Sequence, residues 1–544
     1  MMFRLGAHPI LVCRTSRTGS AARRRLFAVS SSPTPPPLGR AVWIGAAALV
    51  ASGASGFALS QYFSASGNIR VPLTWSNKSQ YGSEADFARA LDALRAALPA
   101  EGLVSTDEGE RLAYATGVGY PLHNDVVTVV NISRQFRIPL VPYTGGTSLE
   151  RGIEGSWKLD CGAICVDLSG MDEIVINEAN ADAVVQAGVS WNVLNDTLKE
   201  KGIPLFFPLD PGLGATIAGM ISTGCSGTNA MRYGTARGEW IINMTVVLPS
   251  GEVIKTRTLG IITEATIRLA PVLPSTVAVV QFPSVRDATE AACEVLNLGA
   301  AIQCVELLDT SFLRVLSDSP LRSTRPRAIE DTLYIKIQGA PTLHSSRSTA
   351  DVDAQMMAAS KLMEHIMKKH HATLYELARN AEEAEALWTE RRSALFVLTD
   401  HARQNGRTGY AMDVCVPVSR LPELVDVARR EFEKAGLVGP ILGHVGDGQS
   451  SGILGALRAT GNFHAFLSYK DEEEQERVKA AADKVVAAAI DLEGTCTGEH
   501  GVGTGKKKYL NRELGLATVA TMKSIKKTLD PLGLFNPEKL YPDD

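Results

Sequence analysis

Two glycine-rich segments, each leaving a short apolar run, constrain the first half of this chain more than any other feature. The first runs from Val141 through Gly145, Gly146, Thr147 and Ser148 to Glu150. The second runs from Phe207 through Asp210, Pro211, Gly212, Gly214, Thr216 and Gly219, then through Ser226, Gly227 and Asn229 to Tyr233 and Gly234. Glycines bring backbone N–H groups close to an anion and Ser or Thr hydroxyls add donors, so the pair can cradle a pyrophosphate. Either segment alone reads equally well as ordinary turns between strands. Neither is a standard nucleotide motif. After Gly212 and Gly214 the next glycine is Gly219, too late for G-x-G-x-x-G. Gly505-Lys506 lacks the upstream glycine of a P-loop and carries Lys507 where Ser or Thr belongs.

Around these segments, helical spacing of Phe87, Leu91, Leu94 and Leu98 predicts an amphipathic helix ending at Pro99. Strands are expected at Ile138–Val141, Ile164–Leu168, Ala183–Val189 and Met244–Leu248, with a helix over Asn192–Lys201. From Ser275 the pattern shifts to strands at Val277–Phe282, Leu333–Ile337 and Asp413–Pro417 among longer helices: Asp351–Lys369, Ala381–Asp400, Leu421–Ala435, Asp471–Ile490 and Ala517–Leu529. The fold class is therefore α+β, in two domains. Its boundaries fall at a lead-in helix in 71–102, a first domain over 103–272 and a second over 273–544.

The chemistry-bearing side chains gather in the second half. His444 stands in a glycine-rich turn, His464 follows in Asn462-Phe463-His464, and Glu499 and His500 lie between Gly498 and Gly501. Two imidazoles, a carboxylate and a third histidine suit a divalent metal site plus a base. Singly, each histidine reads as a surface or satisfied core residue.

The N-terminus differs from the rest. No Asp or Glu precedes Glu84, whereas Arg4, Arg14, Arg17, Arg23, Arg24 and Arg25 share the opening with Ser and Thr. That composition predicts a mitochondrial presequence over residues 1–30, with a disordered basic tail as the plainer reading. A proline run from Pro33 to Pro37 and an uncharged stretch from Ala41 to Ser60 follow, within a linker of residues 31–70. The stretch is about long enough to span a bilayer as one helix. A single membrane anchor is the expectation. With a net charge of −4 and no basic run interleaved with aromatics, nucleic-acid binding is excluded as an expectation. The 8 cysteines show no paired CxxC spacing, so unpaired thiols are expected.

Pro142 to Glu150 (PYTGGTSLE), Phe207 to Met220 (FPLDPGLGATIAGM) and Ser226 to Gly238 (SGTNAMRYGTARG) resemble the PCMH-type, two-subdomain FAD-binding domain of vanillyl-alcohol-oxidase flavoproteins. With GHVGDG at 443–448, NFH at 462–464 and GEHG at 498–501, the chain most resembles the mitochondrial D-lactate dehydrogenase (cytochrome) family, from about Leu103 to Pro542. The resemblance implies an FAD-linked oxidase C-terminal domain and oxidation of D-lactate to pyruvate. Electrons would pass through FAD to cytochrome c, at the inner mitochondrial membrane facing the intermembrane space. It also implies that Gly145, Gly146, Thr147 and Ser148 bind the diphosphate. Asp210, Pro211, Thr216, Gly219, Ser226, Gly227, Asn229 and Tyr233 would line the rest of the cofactor, with Ile262 near the adenine. His444, His464 and Glu499 would bind zinc or manganese, His500 would be the general base, and Arg391 would hold the substrate carboxylate. Related D-2-hydroxyglutarate dehydrogenases carry lysine just before the aspartate that is Asp413 here; Met412 in that place favours a small monocarboxylate. D-2-hydroxyglutarate or glycolate oxidation is the alternative activity.

Three departures from the family pattern stand out. A strand and proline-containing loop are missing after Asn124, and a glycine turn near the flavin is missing after Arg257. Residues 449–461 are inserted between motifs that are normally contiguous. Losses at functional loops predict weakened flavin binding, and the insertion predicts a disturbed metal site. A non-catalytic variant of the fold is thus the third reading.

Overall fold

The computed structural model describes residues 10–13, 81–100, 102–107, 123–150, 152, 162–236, 238, 240–256, 260–320, 325, 327–339, 349–447 and 460–542. The uncharged stretch at Ala41–Ser60 lies outside them, and among the described residues no helix is long and apolar enough to cross a membrane.

The first domain has two sheets. One contains β1 (Ile10–Cys13), β2 (Val104–Ser105), β3 (Leu140–Tyr143) and β4 (Ala163–Asp167), in the order β2-β1-β4-β3. The other contains β5 (Ile174–Asn177), β6 (Asp182–Gln186), β8 (Ile241–Val247), β9 (Val253–Thr256) and β10 (Ile261–Arg268), in the order β5-β6-β10-β8-β9, while β7 (Leu205–Phe206) pairs with β11 (Ala270–Pro271). One apolar cluster joins both sheets, from Phe87 and Leu94 through Ile138 and Ile164 to Val246 and Ile267. The first helix, Glu84–Ala97, matches the expected periodicity and starts at a capping box, with the Ser83 hydroxyl accepting from the Asp86 N–H.

Two departures from the sequence expectations fall in this domain. Ile10–Cys13, inside the expected leader, forms a strand parallel to β4 and antiparallel to β2, in the domain where a strand was expected to be missing. The remainder of residues 1–30 lies outside the described residues. Where the glycine turn is missing, residues 257–260 alone connect β9 to β10, and both strands pair antiparallel with β8 from opposite sides.

The second domain is one antiparallel sheet of seven strands: β12 (Ser275–Phe282), β13 (Ile302–Leu308), β14 (Asp331–Gln338), β15 (Leu374–Leu377), β16 (Thr408–Pro417), β17 (Ile441–Asp447) and β18 (Thr460–Tyr469). Their order is β15-β12-β14-β13-β17-β18-β16. Alternation along the strands divides the side chains between two faces. One face meets Val285–Asn297, Thr349–Lys369, Leu421–Lys434 and Glu472–Asp491 in a cluster that includes Val305, Leu307, Phe463 and Val485. The other, with Cys304, Leu308, Tyr334 and Leu442, meets Thr310–Ser317, Ala381–Arg392 and Ala394–Gln404. The single helix expected over Ala381–Asp400 is in fact two, because Ser393 leaves the helical conformation at ψ 1°. The C-terminal segment returns to the first domain, where Leu140 donates its N–H to Leu534 and accepts from the N–H of Asn536.

Candidate active site

His444 lies on β17, not in a turn as its flanking glycines suggest. Strand pairing sets the cluster on one face of the sheet. Glu306, His444 and Asn462 are directly opposed across β13, β17 and β18; Leu442, His464 and Asp413 are opposed across β17, β18 and β16, two residues away. An offset of two keeps both rows on the same face. The inserted stretch therefore sits in the β17–β18 connection: Thr460 and Gly461 extend β18, and residues 448–459 lie outside the described residues. The ladder sets the two histidines side by side whatever the connection's length, and the candidate ligands His444, His464 and Glu499 lie together.

Glu499 completes the group. Its Oε1 is 3.5 Å from His444 Nε2 and 3.4 Å from His464 Nε2, with His500 Nε2 at 3.8 Å. Its other oxygen, Oε2, accepts from the N–H and hydroxyl of Ser226 at 3.1 and 2.7 Å. Burial acts to raise the Glu499 carboxyl's pKa. Hydrogen bonds from His444 and His464 outweigh that effect, and the group is held well below the usual carboxylate range. His444, His464 and Glu499 offer ligand atoms within 4.8 Å of one another, two imidazole nitrogens and a carboxylate oxygen that suit zinc or manganese.

Asp413 shapes the loop that carries Glu499 and His500. Its Oδ2 accepts from the backbone N–H groups of Gly498, Glu499 and His500 at 2.8, 3.0 and 3.1 Å, and from the Thr497 hydroxyl at 2.9 Å. Its Oδ1 lies 3.5 Å from His464 Nδ1. Burial pushes this carboxyl up, but the nearby His500 and His464 bring it below its ordinary value. Lys506 donates to the Asp413 carbonyl at 3.0 Å and lies 3.6 Å from Glu150 of the first domain. Burial raises the Glu150 pKa, and Lys506 opposes that rise.

A cavity of about 810 Å³ runs between the two domains and joins the cluster to the glycine-rich segments. Gly145, Gly146, Thr147, Ser148, Asp210, Pro211, Thr216, Gly219, Gly227 and Ile262 line it, as do Arg391, His444, His464, Glu499 and His500. The cradle is close-fitting. Gly227 sits at φ +113°, and a Cβ there would stand 2.7 Å from the Asp210 carbonyl carbon. Asp210 accepts from the Thr228 hydroxyl and the Asn229 N–H, yet burial lifts its pKa to about 6.

Three residues expected at the cofactor do not line this cavity. Ser226 is buried behind the cavity against Glu499. Asn229 donates to the Pro208 carbonyl and accepts from Gln303. Tyr233 lines a separate cavity with Trp240, Arg232 and Arg268. Conversely, Glu306 was not anticipated. It is wholly buried, accepts from His444 Nδ1 at 2.8 Å, and takes Arg391 through Nε at 2.8 Å and Nη2 at 2.5 Å. Its sequence signal is a single acid inside the apolar run Ile302-Gln303-Cys304-Val305-Glu306-Leu307-Leu308.

Residues 122–257 match the FAD binding domain family, and residues 274–540 match the FAD linked oxidases, C-terminal domain family. A mitochondrial D-lactate dehydrogenase (cytochrome) of Arabidopsis thaliana is 35% identical over 443 residues, covering 77% of this chain and 72% of the relative. The mitochondrial D-lactate dehydrogenase (cytochrome) 1 of Saccharomyces cerevisiae is 36% identical over 450 residues, covering 77% and 71%. Among solved structures, 4-ethylphenol oxidase from Gulosibacter chungangensis superposes with a TM-score of 0.68 at 16% identity, covering 85% of this chain and 98% of its own.

Proposed function

Because this chain belongs to the FAD-linked oxidase family, among the mitochondrial D-lactate dehydrogenases (cytochrome), we propose that it oxidises D-lactate to pyruvate and passes the electrons to cytochrome c. One observation carries the reading: a single cavity brings the glycine cradle together with Arg391, His500 and the His444–His464–Glu499 group. When bound, FAD would supply hydride acceptance opposite C2 of the substrate, and a divalent cation held by His444, His464 and Glu499 would supply polarisation of the C2 oxygen. The chain's own side chains do the rest. Arg391 has Nε and Nη2 committed to Glu306, which leaves Nη1 to hold the substrate carboxylate. His500 Nε2, directed toward Glu499, takes the hydroxyl proton. His444, His464 and Glu499 hold the cation, zinc or manganese. Gly145, Gly146, Thr147 and Ser148 would hold the cofactor's diphosphate through backbone N–H and hydroxyl groups.

Substrate size follows from the wall of the cavity. Ala411, Leu442 and Phe466 line it with apolar surface on the His464 face of the sheet, while the Met412 side chain packs in the cluster on the opposite face. A small monocarboxylate is favoured over D-2-hydroxyglutarate. The Arg-rich leader and the relatives' mitochondrial names support import into the mitochondrion. The uncharged stretch at Ala41–Ser60 serves as the inner-membrane anchor, with the catalytic domains on the intermembrane side where cytochrome c is met.

Flavin content and anaerobic bleaching of the full chain test this, with D-lactate, L-lactate and D-2-hydroxyglutarate offered separately. Bleaching by D-lactate alone is expected. Colourless protein, or bleaching by D-2-hydroxyglutarate instead, overturns the reading.

A further inference from the structure

Among the described residues, Glu306 is a wholly buried carboxylate that touches two of the side chains given separate tasks above. It lies in the middle of β13, where every residue from Ile302 to Leu308 is buried. A lone charge there is costly, so its partners are part of its reason for being there. One partner is His444, whose Nδ1 lies 2.9 and 2.8 Å from the two carboxylate oxygens. The other is Arg391, held at Oε2 through Nε and Nη2. The contacts reach across three elements: β13, β17 and the helix Ala381–Arg392.

The geometry has two consequences. By binding at Nδ1, Glu306 fixes which edge of the His444 ring faces β13 and leaves Nε2, the atom facing Glu499, as the one placed to meet a cation. By taking the Nε edge of Arg391, which lines the cavity, it fixes the plane of the guanidinium and leaves Nη1 outside this pairing. We propose that Glu306 is a positioning residue that couples substrate-carboxylate recognition at Arg391 to cation recognition at His444. The two ends of a 2-hydroxy acid are thereby held in one register by one side chain. This inference rests on the D-lactate reading for the identity of the substrate. The cation half of it does not.

The test uses the full-length flavoprotein as wild type, Glu306→Gln and Glu306→Asp. Flavin stoichiometry and thermal melting are recorded first. Zn²⁺ is then titrated calorimetrically into chelator-stripped protein without substrate, and D-lactate KM and kcat are measured after cation is restored. Glutamine keeps one acceptor but turns an NH₂ toward Arg391 or His444. Zn²⁺ affinity is therefore expected to fall roughly 10–100-fold, with KM rising more than kcat falls and flavin content unchanged. Aspartate is shorter by one methylene and reaches one partner only, so one of the two readings should return toward wild type while the other stays impaired. If either variant keeps full flavin and leaves both readings within about twofold of wild type, the coupling is overturned. Loss of flavin and of cooperative melting in both variants also overturns it, marking Glu306 as a core residue only. A wild type that binds Zn²⁺ but is not reduced by D-lactate sinks the substrate reading alone, because the zinc titration still reports on Glu306.

Discussion

Residues 143–148 and 210–227 line the cavity as glycine-rich loops, whereas β17 and β18 line it with His444 and His464 from a paired ladder, next to Glu306 on β13. The first construction depends on what is absent: a Cβ at Gly227 would run into the Asp210–Pro211 peptide. The second depends on what is present. Glu306, Asp413 and Ser226 each hold a member of the His444–His464–Glu499–His500 group by hydrogen bonds or close charge. The two regions therefore tolerate different insults. A cradle made of loops is vulnerable to a change in loop length or to one added methyl group. A cluster made on a β-ladder takes its register from backbone hydrogen bonds, and extra residues beyond the strand ends leave that register alone.

The sharpest separation comes from His500→Ala. If His500 is the base, kcat for D-lactate should fall by roughly 10²–10⁴-fold, while flavin content and Zn²⁺ affinity stay near wild type. A loss of flavin instead would mean that the two regions are not separable.

Gly227→Ala addresses the other side. At φ +113° with the Asp210 backbone 2.7 Å away, the added methyl should cost about 1–3 kcal/mol of stability and remove most of the bound flavin. Absorbance per protein and the melting temperature report both effects. Zn²⁺ binding at His444, His464 and Glu499 should persist in the same preparation, and its disappearance would break the comparison.

The smallest effect is expected from shortening the β17–β18 connection by removing residues 449–459. Calorimetric Zn²⁺ affinity should change by less than about threefold, since His444 opposite Asn462 and Leu442 opposite His464 are set by the ladder. A tenfold loss would show that the connection itself positions the histidines.

The periodic elements were legible from local pattern. Glu84–Ala97, Trp191–Glu200, Leu421–Lys434 and Glu472–Asp491 lie within a residue or a few of their expected bounds, because apolar spacing and end signals are local properties. The break at Ser393 was not legible: Ala381 to Asp400 reads as one continuous helix former, and only packing against the sheet ends the first segment beside Arg391. His444 was misplaced for a related reason. Gly443 and Gly446 suggest a turn, but pairing with both β13 and β18 overrides their weak strand preference.

Family motifs were enough to nominate His444, His464, Glu499, His500 and most of the glycine cradle, since those residues occur in short contiguous strings. What sequence alone determined is the set of chemical groups and the two-domain α+β plan. Tertiary structure decided which groups share a carboxylate. Glu306 is 85 residues from Arg391 and 138 from His444. No local pattern encodes a contact at that separation, and it exists because three distant segments bury one charge together.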